Sequence, residues 1–519
     1  MSTPSIAIPL EQARGASPAE LVGRLRSLLT RVVLAPVDPM LRFIGLRYRA
    51  FFWVICHFPP RFMALLGRLR AQRAVEHARR RVPGYARYWG TAAGERVRIG
   101  DLDVPATDKK TYVLPFPIEQ RCVGGSLEGP SVAVDESSGS TGTPFNWVRG
   151  AEERRATHVF ISHFARYCFG DEPFVTVNAF SMGAWATGVN MGVALERNGM
   201  VKNTGPDADK VFSTLEFLGT GRRYLICGYP PFLKHLIDVA AERGFPLHQY
   251  RLMGLVGGEG MSEGQRDYLR PHFDPVYSGY GATDIEIGMA GETPLTVAIR
   301  RLAREDPSLA ADLFGDDSRL PMLFQYNPLQ HEVSVTPDGE LVFTISRLEV
   351  LAPRIAYNIH DEGGAAPCAD VLEAVRRHGH DLGGINVVPL PMLWVFGRKD
   401  STISVMGANL YPEDVEAALY DCPELAVFTN SFCLGSHEQS DGTIRPLLCF
   451  EIRQEPDEAL QLRFATEIEA GLVAINADYR QAAREHPAAM KPVVCLYQRG
   501  EGPFAADARK IKQTRLVHA

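Results

Sequence analysis

Short apolar runs and longer helical patterns alternate along the middle of the chain, and this alternation limits the fold more than any other feature. Runs rich in β-branched and aromatic residues predict strands at 174–177, 224–227, 252–256 and 275–280. Helical patterns lie between them at 187–197 and 231–243. Such alternation is typical of an α/β protein with a layered sheet, in which ligands bind beyond the strand ends.

The regions on either side of this core predict further units. A chain of 519 residues exceeds a single hydrophobic core, so at least two domains are expected. A helical pattern broken by prolines predicts a helical N-terminal cap at 1–90, followed by a large domain of layered sheets and helices at 91–397. Two helical patterns and two strands beyond residue 401 predict a smaller, mobile α+β domain at 398–519.

Three local patterns complete the prediction of secondary structure. A polar helical stretch covers 298–314. A hairpin is predicted from 333–335 and 341–343, because the Pro-Asp-Gly sequence between them is a turn signal. Residues 362–388 mix glycine, histidine and one short helical pattern, and we expect them to form an insertion.

Charge and cysteine content narrow the class of protein. The net charge of -6 argues against a dedicated nucleic-acid binder. Residues 1–100 nevertheless hold 17 arginines and only 5 acidic residues. The favoured interpretation is a helical cap with solvated arginines, and the alternative is peripheral contact with an anionic membrane. The 9 cysteines form no CxxC pair, which is typical of reduced thiols and predicts a cytoplasmic protein.

A loop of hydroxyls and glycines follows the apolar run 132–134. Glycines let a backbone fold closely around a ligand, and hydroxyls add donors without bulk, so the loop suits phosphate oxygens. A solvated linker has the same composition and stays an open alternative. The residues are Ser137, Ser138, Gly139, Ser140, Thr141, Gly142, Thr143 and Pro144.

Two further glycine-containing segments lie at the carboxyl ends of the strands predicted at 252–256 and 275–280. The first is Gly257-Gly258-Glu259, where glycines would admit a flat ring such as adenine, or would simply form a tight turn. The second runs from Tyr280 to Asp284, whose carboxylate is the type of ligand that Mg²⁺ binds together with phosphate oxygens. Neither segment reads G-x-G-x-x-G, which excludes a Rossmann dinucleotide site.

Taken together, these motifs resemble the adenylate-forming (acyl-CoA synthetase) superfamily, most closely its phenylacetate–CoA ligase branch. The resemblance implies that the loop residues Ser137 to Gly142 bind ATP phosphates and that Gly258 and Glu259 lie on adenine. It also implies nucleotide contacts from Tyr280, Gly281 and Thr283, with Asp284 as the catalytic Mg²⁺ ligand. Trp185, Gly257 and Ala282 would line the acid pocket, although a buried core tryptophan explains Trp185 equally well.

The resemblance continues in the same order towards the end of the sequence. Residues 357–361 lie where the family has Tyr-Arg-Thr-Gly-Asp, which implies that Asp361 binds the ribose hydroxyls. Gly-Arg-Lys-Asp at 397–400 implies a ribose contact from Arg398 and a hinge at Asp400. The segment 407–416 is similar to the branch's Gly-x-Asn-x-x-Pro-x-x-Val-Glu. Near the end, Lys510 would be the adenylation lysine, with Lys512 as the alternative.

Several positions depart from the family pattern. Thr143 and Phe145 stand where relatives have lysine, so one positive charge near the triphosphate is missing. Asp284 is one methylene shorter than the usual glutamate, and Glu286 is the alternative metal ligand. In the ribose segment, Asn358, Ile359 and His360 replace arginine, threonine and glycine.

The resemblance implies ATP-dependent activation of an acid, expected to be aromatic, to an acyl-adenylate with release of pyrophosphate. The acyl group would then pass to a thiol such as CoA. Two alternatives stay open: an adenylating enzyme with an amine or carrier-protein acceptor, and a catalytically weakened relative that only binds nucleotide or acyl groups. The implied cofactors are ATP, Mg²⁺ and CoA, and a homodimer is compatible with the family.

Overall fold

A computed structural model describes residues 34–91, 95–128, 131–136, 145–183, 186–317, 319–398, 403–406, 408–438, 444–505 and 515–518. The predicted phosphate-loop residues Ser137 to Gly142 therefore lie outside the described residues, as do Trp185, Asp400, Lys510 and Lys512. The predictions for these positions stay predictions.

The first described segment is helical and packs on the rest of the protein. Gly67 lies so close to Pro328 that a Cβ there would be 2.2 Å from the carbonyl oxygen. No single described helix is both long and apolar enough to span a membrane, and the pair α1–α2 meets that test only jointly, bent by 111°. The elements are α1 (Tyr48–His57), α2 (Pro60–Arg81), α3 (Pro83–Thr91), β1 (Arg96–Ile99) and β2 (Leu102–Pro105).

The large sheet has eleven strands in the order β12 (His331–Val335), β13 (Glu340–Ile345), β14 (Tyr357–Ala366), β15 (Met392–Arg398), β11 (Met322–Tyr326), β10 (Ala290–Gly291), β9 (Phe273–Tyr280), β8 (Arg251–Gly257), β7 (Arg223–Gly228), β5 (Val175–Asn178) and β6 (Val201–Asn203). Strands β6, β5, β7, β8 and β9 pair in parallel, and the remaining pairs are antiparallel. The predicted α/β class is confirmed. The parallel part and its helices comprise β3 (Ala133–Glu136), β4 (Asn146–Arg149), α4 (Ala151–Phe169), β5 (Val175–Asn178), α5 (Ala186–Leu195), β6 (Val201–Asn203), α6 (Ala208–Leu218), β7 (Arg223–Gly228), α7 (Pro230–Arg243), β8 (Arg251–Gly257), α8 (Glu263–Leu269) and β9 (Phe273–Tyr280).

The antiparallel part includes the predicted hairpin, in which Val335 pairs with Leu341. The polar helical stretch is two helices, because Pro307 starts a new helix whose first turn is capped by Asp306. The elements are β10 (Ala290–Gly291), α9 (Pro294–Glu305), α10 (Pro307–Phe314), β11 (Met322–Tyr326), β12 (His331–Val335), β13 (Glu340–Ile345), β14 (Tyr357–Ala366), α11 (Cys368–Arg377) and β15 (Met392–Arg398).

The prediction of an insertion at 362–388 is wrong at its start. Residues 362–366 are the second half of β14, which lies between β13 and β15 in the large sheet. A Cβ at Gly363 would be 2.1 Å from the Trp394 carbonyl oxygen. The glycines therefore mark close contact between neighbouring strands rather than a loop.

A second hydrophobic core is built entirely from residues between 403 and 494, around Leu434, Phe450 and Phe464. Its sheet has the order β20-β19-β18-β21. The elements are β16 (Ile403–Val405), β17 (Ala408–Leu410), α12 (Pro412–Tyr420), α13 (Pro423–Phe428), β18 (Thr429–Glu438), β19 (Ile444–Ile452), α14 (Glu458–Ile475), α15 (Ala477–Glu485), α16 (Pro487–Met490), β20 (Val493–Tyr497) and β21 (Leu516–His518).

Candidate functional site

The carboxyl ends of β8 and β9 meet at one edge of the large sheet. Gly257 and Gly279 are register partners there, and a Cβ at Gly257 would lie 2.9 Å from the Gly279 carbonyl oxygen. Beyond the strand, Gly281 is folded back so tightly that a Cβ would lie 2.4 Å from the carbonyl oxygen of Glu286. Glycine at these positions lets the segment after β9 turn back onto its own strand end.

Tyr280 and Asp361 meet at this edge. The Tyr280 hydroxyl donates a hydrogen bond to Asp361 Oδ2 at 2.6 Å. Asp361 is in turn the register partner of Arg398, because β14 and β15 are neighbours. Three residues predicted to bind nucleotide are thus brought together from β9, β14 and β15.

Asp284 follows Tyr280 by four residues in the segment after β9, and each of its carboxylate oxygens has a donor. The indole Nε1 of Trp147 donates to Oδ1 at 2.8 Å, and Lys109 Nζ lies 2.9 Å from Oδ2. The carboxylate is mostly buried but keeps some exposure to solvent. Asp284 therefore stands beside a cation that comes from a distant part of the chain.

Lys109 is the residue that the sequence analysis missed. Thr107 forms a bridge to Tyr357 at the start of β14, which brings the following residues to the site. The Asp108 side chain accepts a hydrogen bond from Thr111 N, and this cap fixes the turn that carries Lys109. Lys109 Nζ also lies 5.3 Å from the ring centroid of Phe145. The Asp-x-x-Thr cap at 108–111 was the only local signal for an ordered turn there.

The carboxylate of Glu286 is held by buried protein groups. Its carboxylate pairs with Arg347, accepts a hydrogen bond from Thr157 and lies 2.9 Å from His331 Nε2. Burial alone would raise its pKa, but Arg347 and the hydrogen bonds from His331 and Thr157 hold the pKa of Glu286 below its usual range. Glu286 is therefore a buried structural anion, which favours Asp284 over Glu286 as the metal ligand.

His360 occupies the position where the family has glycine, and its backbone shows why. Its φ of 64° lies in the left-handed region that glycine favours. Its ring lies 3.5 Å from Asp108 Oδ2 and 3.1 Å from Glu340 Oε2. The hydrogen bond to Asp108 raises the pKa of His360, and the same contact helps lower the pKa of Asp108 to about 2, although burial opposes that shift.

We expect His360→Asn to lower stability more at acid pH than at alkaline pH. Because the folded protein raises the pKa of His360, its ion pairs are complete below the unfolded value of about 6.5 and are lost as pH rises through the folded value. Asparagine tolerates the positive φ, so backbone strain cancels between the two conditions. The ring is 41% exposed, so we expect a difference below about 1 kcal/mol. Urea unfolding at about pH 5.5 and about pH 9 measures it, and an equal loss at both would contradict the assignment.

An apolar cavity of about 100 Å³ opens at the same sheet edge. Gly257 and Ala282, two of the three residues predicted for the acid pocket, line it, together with Gly258, Tyr280, Gly281 and Thr283. Its walls are mainly aromatic and aliphatic side chains from α4, α5 and β8. The predicted pocket residues and nucleotide residues thus adjoin each other.

The segment predicted to hold adenine contacts the second core. Gly258 has a φ of 85°, which only glycine adopts readily. Glu259 Oε2 lies 3.8 Å from Arg515 Nη2, and the backbone N–H of Ser262 donates to Glu416 Oε2 at 3.1 Å. Ser262 also caps α8 by accepting a hydrogen bond from Gln265 N.

Comparison with known proteins adds the decisive observation on the fold. The sequence matches no model of a protein family, and a search of curated proteins finds no match either. Among solved structures, a 2-hydroxyisobutyryl-CoA ligase in its postadenylation state with R3-HIB-AMP has a TM-score of 0.64 at 15% identity, covering 90% of this chain and 91% of that one. The same ligase in its thioesterification state with 2-HIB-AMP and CoA has a TM-score of 0.52 at 16% identity, covering 89% and 91%.

This chain has the fold of the adenylate-forming acyl-CoA ligases. The strands that carry Asp361 and Arg398 are neighbours in the large sheet, and the strand that carries Tyr280 belongs to the same sheet. The predicted two-domain α/β architecture therefore agrees with the solved ligases.

Proposed function

We propose that this protein uses ATP to convert a carboxylic acid to an acyl-adenylate, releasing pyrophosphate, and then transfers the acyl group to a thiol such as CoA. The proposal is carried by one observation. Tyr280, which lines the apolar cavity, donates a hydrogen bond to Asp361, and Asp284, four residues further along the chain, pairs with the cation Lys109. A site that joins an acid to a nucleotide needs an apolar pocket, an acceptor for hydroxyl groups and a cation.

We assign binding of the ribose of ATP to Asp361 and Arg398. A carboxylate accepts hydrogen bonds from two hydroxyls at once, and a ribose offers two vicinal hydroxyls. The hydrogen bond from Tyr280 holds the Asp361 carboxylate in a fixed orientation. We assign adenine to Gly258 and Glu259, and the phosphates to the loop Ser137, Ser138, Gly139, Ser140, Thr141 and Gly142.

We assign to cations the stabilisation of the phosphate group that reacts with the acid. The substrate carboxylate attacks the α-phosphorus of ATP, and pyrophosphate leaves with the electron pair of the broken P–O bond. Negative charge grows on phosphate oxygens in this step, so fixed cations lower its barrier. Lys109 offers such a cation where the loop sequence lacks one, and we assign Lys510 of the small domain as a second.

Asp284 also fits a Mg²⁺ site. Trp147 and Lys109 each engage one of its oxygens, which leaves further lone pairs on both. Magnesium prefers one or two carboxylates together with phosphate oxygens and water, which is the donor set that this edge offers with ATP. Bound there, Mg²⁺ would neutralise phosphate charge.

The finer features of the proposal rest on resemblance. The solved ligase whose structure this chain resembles binds 2-HIB-AMP and CoA, which supports CoA as the acceptor. We keep the phenylacetate–CoA ligase branch, an aromatic acid, rotation about Asp400 and a cytoplasmic location as parts of the proposal. A homodimer and a peripheral membrane contact through the arginine-rich segment stay predictions.

ATP–pyrophosphate exchange driven by a panel of carboxylic acids tests the proposal. We expect exchange with at least one acid, and its loss in Asp361→Ala, because the ribose hydroxyls lose their acceptor. Exchange with no acid on the panel would contradict the proposal and favour a nucleotide-binding relative. CoA-dependent release of AMP then distinguishes CoA from an amine or carrier-protein acceptor.

A further inference from the structure

The apolar cavity is small, and bulky side chains form part of its lining. Phe164, Phe180, Met191 and Leu255 line it, and its volume is about 100 Å³. An engineered apolar cavity of about 150 Å³ in another protein holds one benzene molecule. Space of this order accepts a single ring or a short branched chain, and it has no room for a long acyl chain.

The charge of the lining residues also restricts which acids the cavity can accept. Glu136 is the one charged residue among the described residues that line the cavity. Tyr229 contributes a phenol whose pKa is raised to about 12 by burial, so it is neutral at physiological pH. A second carboxylate on the substrate would have to leave water without meeting a cation, which is strongly unfavourable.

Glu136 places a carboxylate in the lining of this cavity. It ends β3, is half-buried, and lines a cavity whose other described lining side chains carry no charge. Across the described part of the chain, no hydrogen-bond donor or cation contacts its carboxylate. A carboxylate in such surroundings is stabilised by any donor that arrives with the ligand.

We propose that the cavity selects a compact monocarboxylic acid whose apolar body carries one hydroxyl or amino group, which donates a hydrogen bond to Glu136. This inference rests on the proposed function, since it names the acid that the site adenylates. It makes Glu136 a specificity-determining residue. It excludes dicarboxylic acids and long-chain fatty acids as good substrates.

The test compares benzoate with the isomeric hydroxybenzoates and aminobenzoates, with isophthalate and dodecanoate as excluded acids. We expect at least one donor-bearing benzoate to exceed benzoate in kcat/KM for exchange by about 10- to 100-fold, the effect of one hydrogen bond to a charged group. In Glu136→Leu that preference for a donor-bearing acid over benzoate should disappear. Glu136→Gln, which keeps an acceptor, should keep part of the preference.

Binding measured without turnover separates this inference from the proposed function. Saturation-transfer NMR on the full chain ranks the same acids even if no acid supports exchange. Absence of exchange together with the expected ranking would overturn only the adenylation activity. Preference for isophthalate or dodecanoate, or a donor preference that Glu136→Leu leaves intact, would overturn the inference.

Gly279→Ala tests the size limit independently. A Cβ at Gly279 would meet no atom nearer than 3.9 Å, so the substitution fits the fold while narrowing the cavity that Gly279 lines. We expect it to reduce binding of the ring-bearing acids at least 10-fold and to spare acetate. Equal binding of benzoates by Gly279→Ala and the unsubstituted protein would contradict a cavity of this size.

Discussion

Replacing Lys109 by methionine is expected to lower the rate of ATP–pyrophosphate exchange by about 10²- to 10³-fold, the usual effect of removing one preorganised donor from a developing oxyanion. The proposed phosphate loop has Thr143 and Phe145 where the resemblance implies lysine. Lys109 Nζ stands 2.9 Å from Asp284 at the site where the phosphates are proposed to bind. Methionine keeps most of the length of the side chain and removes its charge and its N–H donors. Initial rates of exchange measure the effect.

Lys110→Met provides the matched control. Lys110 is the next residue along the same turn and is exposed, so the variant changes net charge equally without touching Asp284. We expect its exchange rate to stay within about twofold of the unsubstituted protein, as for surface substitutions away from a site. Lys109→Arg should recover part of the activity, since a cation is restored with different geometry. Equal rates in Lys109→Met and Lys110→Met would contradict the assignment of Lys109.

Replacing Arg266 by methionine is expected to lower the free energy of unfolding by about 3–5 kcal/mol, the cost of leaving a buried charge unpaired. Arg266 is 1% exposed and lies beneath β9. It donates to Glu263, to the Val276 carbonyl oxygen and, at 2.5 Å, to Glu292 Oε1. Glu292 in turn accepts from Ser278 N at 2.7 Å, so the cluster holds the strand that carries Tyr280. Urea unfolding of the full chain measures the loss.

Two further variants separate charge from packing. Arg96→Met breaks the pair with Asp103, whose side chains are 49% and 62% exposed, and should cost less than about 1 kcal/mol. Adding Glu292→Gln to Arg266→Met should recover part of the lost stability, because the uncompensated buried charge is then removed. A loss below about 1 kcal/mol for Arg266→Met would show that the cluster contributes little.

Local patterns in the sequence determined the elements of the fold. The alternation of β-branched runs with helical periods predicted β5, β7, β8 and β9 and the helices α5 and α7, because side-chain periodicity is a property of neighbouring residues. It did not predict β6, α6 or α8. The Pro-Asp-Gly turn predicted the hairpin for the same reason. The prediction of an insertion at 362–388 was wrong at its start because glycines such as Gly363 and Gly364 indicate a loop when only their neighbours are considered. Their close contact is with β15, a strand distant in the sequence.

The order of motifs likewise determined which residues to consider, and the structure brings Tyr280, Asp284, Asp361 and Arg398 to one edge. Only the tertiary structure decided which charges meet there. Lys109 pairs with Asp284, although no local pattern links the two residues. Arg347 and His331 pair with Glu286, which leaves Asp284 as the favoured metal ligand. The size and charge of the cavity were equally hidden, because its walls come from separate helices and strands. Sequence fixes local conformation through neighbouring residues, whereas the electrostatics and shape of a site depend on groups that only folding brings together.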